Sequence, residues 1–139
     1  MTDYKCKMVL LVDDNPIDNL INKKIIQNNC FAKEIKTFTS AKAALLFLKN
    51  NINKESFGNH LGEIVIFLDI RMPEMDGFQF LEEYQNLNEN ILGICKIYML
   101  SSTLDPLDKK RISQNKHIHK FFSKPLSNKF VEEIPNGEM

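Results

Sequence analysis

The sequence predicts an α/β fold, a doubly wound five-stranded parallel sheet with five helices. Two observations point there. Short, continuous apolar runs such as "KMVLLV" and "EIVIFLD" suit strands covered on both faces. These runs alternate along the chain with segments whose apolar residues recur at helical spacing, and that alternation implies parallel strands joined by crossover helices.

The elements follow in order. Residues 7–12 form the first strand. Residues 15–29, "NPIDNLINKKIIQNN", carry Ile17, Leu20, Ile21, Ile25 and Ile26 at helical spacing, with Asn15 suited to the cap and Pro16 to the first turn. "AKEIKTFT" (32–39) is a weaker strand, and "SAKAALLFLKN" (40–50) a capped helix. Polar, glycine-containing residues 51–62 read as a surface loop. "EIVIFLD" (63–69) is a buried strand and "DGFQFLEEYQNL" (76–87) a helix. "ICKIYML" (94–100) is a strand, and "DPLDKKRISQN" (105–115) a helix with Pro106 in its first turn. "IHKFFS" (118–123) is the last strand and "LSNKFVEEI" (126–134) a short last helix.

The 139 residues are read as one domain, with a core at about 7–134 and a frayed tail at 135–139. A domain of this size buries about two thirds of its unfolded surface and needs no covalent staples. Equal numbers of basic and acidic residues, 18 each, argue against bulk electrostatic binding to nucleic acid or an anionic membrane. The three cysteines, Cys6, Cys30 and Cys95, are scattered and form no C-x-x-C, so reduced thiols in a cytoplasmic protein are expected. No stretch approaches the roughly 20 apolar residues of a membrane span.

In doubly wound sheets the functional crevice lies at the carboxyl ends of the strands. There the first strand delivers Asp13 and Asp14, the third Asp69, the fourth Ser101 and Ser102, and the fifth Lys124 and Pro125. Three converging carboxylates repel one another unless a cation intervenes, and Mg²⁺ suits a site of oxygen ligands that meets a phosphoryl group. One carboxylate can then act as nucleophile and form an acyl phosphate. No phosphate-binding glycine motif is present, so the phosphoryl group is expected from another molecule.

The fragments "LLVDDNPIDN", "FLDIRMPEMDG", "YMLSST" and "FFSKPL", in this order, resemble those of a response-regulator receiver domain, of the kind found in the chemotaxis response regulator and stand-alone receivers. The resemblance implies a flavodoxin-like fold with strand order 2-1-3-4-5. It makes Asp69 the phosphoacceptor. Asp14 would bind Mg²⁺ directly, Asp13 through water, and Arg71 through its backbone carbonyl. Lys124 would pair with the acceptor and then with the phosphoryl group, and its peptide bond to Pro125 would be cis. Ser101 would bond the phosphoryl oxygen and Phe121 would be the aromatic switch, altering the face of the fourth helix, fifth strand and fifth helix.

The implied partners are a sensor histidine kinase or histidine phosphotransfer domain and a downstream protein target, with homodimerisation possible on activation. No length remains for a DNA-binding output domain, so a stand-alone or excised receiver is expected. Ser101 stands where the family often has Thr, and Phe121 replaces a common Tyr. Arg71 and Thr103 flank the site where the family tunes its dephosphorylation rate.

Plainer readings stand beside these. Asp13 and Asp14 could cap a helix, Ser101 and Ser102 could mark a loop, and Lys124 could be an exposed residue before a turn. Phe121 and Phe122 suit the core whatever the function. His117 and His119 lack an identifiable third ligand, "KKR" (109–111) reads as a solvated helix face, and Met72, Met75 and Met99 as packing residues. Two rival functions are a pseudo-receiver scaffold that never carries phosphate and a phosphatase of the haloacid-dehalogenase type. The latter wants an Asp two residues after the nucleophile, where this chain has Arg71.

Overall fold

The computed structural model describes residues 4–52, 62–102 and 105–134. Five strands form one parallel sheet: β1 (Cys6–Val12), β2 (Ala32–Phe38), β3 (Ile64–Asp69), β4 (Cys95–Ser101) and β5 (Ile118–Ser123), in the order β2-β1-β3-β4-β5. Six helices are described: α1 (Pro16–Asn28), α2 (Ala41–Asn51), α3 (Gly77–Tyr84), α4 (Glu89–Leu92), α5 (Pro106–Gln114) and α6 (Asn128–Glu133). The doubly wound fold and its strand order match the expectation. The one-turn helix α4 does not, because four residues capped by Asn88 carry too little periodicity to be seen. Thr103, the tail at 135–139 and most of the 51–62 loop lie outside the described residues.

Side chains alternate across a strand, and this splits the core in two. Met8, Leu10 and Val12 of β1, Ile64, Ile66 and Leu68 of β3, and Ile97 and Met99 of β4 pack with α2 and α3. Val9 and Leu11, Val65 and Phe67, Tyr98, Leu100 and Phe122 pack on the opposite face with Ile26 of α1 and Val131 of α6. Strands β1, β3 and β4 are therefore buried on both faces, as their unbroken apolar runs predict. Phe121 and Phe122 divide as well, Phe121 half-buried against the first cluster and Phe122 buried in the second. Met72 and Met99 are buried and Met75 packs against the core, as expected.

Helix α1 begins where its sequence says. Asn15 Oδ1 accepts from the N–H of Ile17 at 2.9 Å and of Asp18 at 3.4 Å, and Pro16 opens the first turn. Its apolar stripe, however, does not all face inward. Ile17 is 64% exposed and Leu20 55%, with Ile21 exposed beside them, while Asn19 and Asn22 are buried. The reason is backbone satisfaction at the strand ends. Asn19 Nδ2 donates to the carbonyls of Asp13 (2.9 Å) and Phe38 (3.2 Å), and Asn22 Oδ1 accepts from Leu126 N–H at 2.9 Å.

Candidate functional site

Strand register brings the predicted residues together. Asp13 follows β1, Asp69 ends β3 opposite Leu100, Ser101 ends β4 opposite Ser123, and Lys124 follows β5. Asp13 and Asp69 share the parity of the α1 face, whereas Ser101 shares that of Met99 on the other. The loop after β3 is drawn tight behind Asp69. Gly77 N–H donates to Ile70 O at 2.8 Å, and a Cβ at Gly77 would lie 2.7 Å from Asp69 O, so glycine is required there. Asp76 then caps α3, its side chain and that of Gln79 bonding each other's backbone N–H at 2.9 Å.

The carboxylates of Asp13, Asp14 and Asp69 each offer an oxygen within 4.8 Å of the others. Asp13 and Asp69 are buried and Asp14 is exposed. Both oxygens of Asp13 are engaged: Oδ1 accepts from Asn15 N–H and Oδ2 from Lys124 Nζ, each at 2.9 Å. Lys124 Nζ, on a side chain 13% exposed, also donates to Asp18 Oδ2 at 2.9 Å and lies 3.4 Å from Asp69 Oδ1. Its backbone N–H is fixed by Ser101 O at 3.0 Å, and its bond to Pro125 is cis.

Lys124 thus approaches Asp69 but is held more closely by Asp13 and Asp18. Asp18 was not foreseen. An acid in a first helical turn reads as a partner for the helix dipole, and nothing local marks it as reaching a lysine 106 residues away.

The electrostatics follow from this crowding. Burial, then the neighbouring Asp13 charge, pushes the Asp69 carboxyl up to about 6 against the pull of Lys124. Burial also raises Asp13. Burial pulls the Lys124 ammonium down, but the hydrogen bonds it donates to Asp13 and Asp18 outweigh it and leave the group raised. One lysine does not neutralise this set. The donors are all oxygen, and the excess negative charge fits a hard divalent cation such as Mg²⁺.

Arg71, two residues beyond Asp69, points its guanidinium away from these acids. Nη2 donates to Asp108 Oδ2 and, at 3.3 Å, to Asp105 Oδ2. The remaining candidates take their plainer readings. His117 lies edge-on to Tyr84 and His119 against Tyr98. Lys109 and Lys110 are solvated, while Arg111 lies 3.8 Å from the Phe78 ring centre. Cys6 and Cys95 are buried thiols, pushed up to about 12 by burial, and Cys30 is exposed. Among the described residues no helix is long and apolar enough to cross a membrane.

Comparison with known proteins agrees with this geometry. The sequence model of the response regulator receiver domain matches residues 9–134. The crystal structure of a response regulator receiver protein from Dyadobacter fermentans superposes with a TM-score of 0.79 at 30% identity, covering 92% of this chain and 94% of that one. The probable methanogenesis regulatory protein FilR2 of Methanothrix harundinacea is 30% identical over 91% of this chain and 80% of its own length. The two-component response regulator ORR1 of rice is 30% identical over 92% of this chain, which spans 53% of that protein. With three strand ends assembling the acidic pocket and its lysine, and with this match across nearly its whole length, the chain belongs to the response regulator receiver domain family of two-component signalling.

Proposed function

We propose that the protein accepts a phosphoryl group on Asp69 from a phosphohistidine of a sensor kinase or phosphotransfer protein. The observation that carries this reading is the placement of Asp69. It is a buried carboxylate at the end of β3, with two further carboxylates within 4.8 Å and an ammonium at 3.4 Å. A carboxylate oxygen of Asp69 bonds to phosphorus as the donor's phosphorus–nitrogen bond breaks. The electron pair of that bond stays on the imidazole nitrogen.

Asp14, Asp13, Asp69 and the backbone carbonyl of Arg71 would hold Mg²⁺. Asp14 would do so directly and Asp13 through water, which accords with the exposure of Asp14 and the full engagement of both Asp13 oxygens. Bound Mg²⁺ supplies positive charge that offsets the charge on the transferring phosphoryl oxygens. Lys124, already against Asp69, pairs with the same oxygens. The Ser101 hydroxyl then bonds a phosphoryl oxygen, and Phe121, half-buried beside Met99 in the register, follows the vacated space.

The donor reaches the site over α1. Asp18 bonds Lys124, and the exposed Ile17, Leu20 and Ile21 beside it offer an apolar lip to a helical partner. The test is intact mass after incubation with phosphoramidate, with Mg²⁺ or chelator. One added phosphoryl group that needs Mg²⁺ and is absent in Asp69→Asn supports the reading. An adduct that survives in the variant refutes it.

A further inference from the structure

Helix α5 is attached in an unusual way. A helix lying on a sheet ordinarily buries an apolar stripe. In α5 the buried residue is an acid, Asp108, whose side chain is 3% exposed. Ile112 is only partly buried and Leu107 is 63% exposed. Two arginines hold the helix instead. Arg71, from the loop after Asp69, bonds Asp108 and the N-cap residue Asp105. Arg111 of α5 itself lies over the Phe78 ring of α3. Asp105 Oδ1 in turn accepts from Asp108 N–H at 2.8 Å, so the Arg71 contact grips the whole first turn.

We infer that Arg71 is a transferable clamp: it holds the first turn of α5 while Asp69 is bare and turns to the phosphoryl group when Asp69 carries one. The inference rests on the proposed phosphoacceptor role of Asp69 and adds a regulatory consequence. A phosphoryl group brings roughly two negative charges and three strong acceptors to a position two residues from Arg71. Guanidinium groups favour such bidentate partners. The Arg71 side chain is 56% exposed, so solvent already reaches it while it holds α5.

Departure of the guanidinium leaves Asp108 as a buried carboxylate without its cation, which is strongly unfavourable. The first turn of α5 relieves this by lifting and admitting water. Because α5 has little apolar burial to oppose that movement, loading at Asp69 is read out as loosening of α5, separately from any movement of Ser101 and Phe121.

The test is amide hydrogen exchange across 106–114 in the full chain, with Mg²⁺ alone and with Mg²⁺ plus beryllofluoride, a phosphoryl mimic whose binding is followed by fluorine NMR. In the wild type the mimic is expected to speed exchange in α5 on the order of tenfold. Arg71→Ala should exchange fast from the start and respond no further. Asp108→Asn, which removes the buried charge and cannot misfold through an unpaired carboxylate, should lose the response in the same way. A bound mimic that leaves wild-type α5 unchanged overturns the clamp alone, as does a wild-type response in either variant. Absence of any adduct removes the Asp69 reading and the clamp with it.

Discussion

Two basic side chains of the strand-end loops, Lys124 and Arg71, are each shared between carboxylates. Lys124 is nearly enclosed and divides its ammonium among Asp13, Asp18 and Asp69. Arg71 is more than half exposed and spends its guanidinium on Asp105 and Asp108, away from the pocket. The difference is one of commitment. Lys124 is fixed by its backbone bond to Ser101 O and by acids from β1, α1 and β3. Arg71 leaves a tight loop and bridges to a helix that has little else to hold it. The first arrangement suits a counter-charge that is present before and after chemistry. The second suits a contact that can be exchanged.

Removing the committed cation should do the most damage. Lys124→Met is expected to slow phosphoryl uptake from phosphoramidate by about 100-fold, the usual cost of losing one preorganised charge donor. It also strands Asp13 and Asp69 in the pocket, so stability at pH 7 without metal should fall by roughly 3 kcal/mol in urea unfolding. A variant that takes up phosphate at the wild-type rate would show Lys124 to be structural only.

The next effect comes from the excess acid that Lys124 leaves uncompensated. Asp69 is raised to about 6 in the folded protein, mainly by burial and by Asp13, whereas an unfolded Asp lies near 3.9. The raised folded value favours the folded state below pH ~4, where Asp69 is protonated in both states. That contribution is lost as pH rises through about 6. In chelator at pH 8, Asp69→Asn should therefore be more stable than wild type by roughly 2–3 kcal/mol. At pH 4 the gain should vanish. Equal gains at both pH values would mean that crowding of charge is not what destabilises the pocket.

How much of this could be read from the sequence depends on the kind of signal. Strand β3 was legible to within a residue because its apolar run is continuous and ends in an acid before turn-forming residues. The pocket residues were legible because each sits at a strand end, where the doubly wound topology gathers them. Helix α1 was legible in extent but not in orientation. Its isoleucines and Leu20 mark the period, yet Asn19 and Asn22 take the inward face because the strand-end carbonyls and Leu126 N–H need partners. Asp18, Asp105 and Asp108 all read locally as helix-start acids. Their pairing with Lys124 and Arg71 depends on chain separations of 34 to 106 residues, which no local pattern encodes.

The exchangeable contact should be weaker than the committed one. Arg71→Ala leaves Asp108 buried without its cation, but half of the arginine is in solvent, so the loss should be about 1–2 kcal/mol. Asp108→Asn in the same chain should recover much of it. The double-mutant cycle is expected to show coupling of about 1 kcal/mol or more, against near-additivity for Arg71→Ala with Asp18→Asn. Urea unfolding of the four proteins of each cycle measures both. Equal coupling in the two cycles would merge the clusters into one network and remove the distinction drawn between them.

The smallest effect tests how firmly Lys124 is held. Asp18 contributes one of its two 2.9 Å bonds, from a side chain about one third exposed. Asp18→Asn keeps the shape and removes a partly screened charge, so stability should fall by only about 0.5 kcal/mol. Asp13 still bonds the ammonium, and Asp69 faces one competitor fewer for it. Phosphoryl uptake should therefore stay within about threefold of wild type, far from the loss expected for Lys124→Met. If uptake instead falls as far as in Lys124→Met, the position of the ammonium depends on α1. Lys124 would then be as exchangeable as Arg71, released by whatever binds the apolar lip beside Asp18.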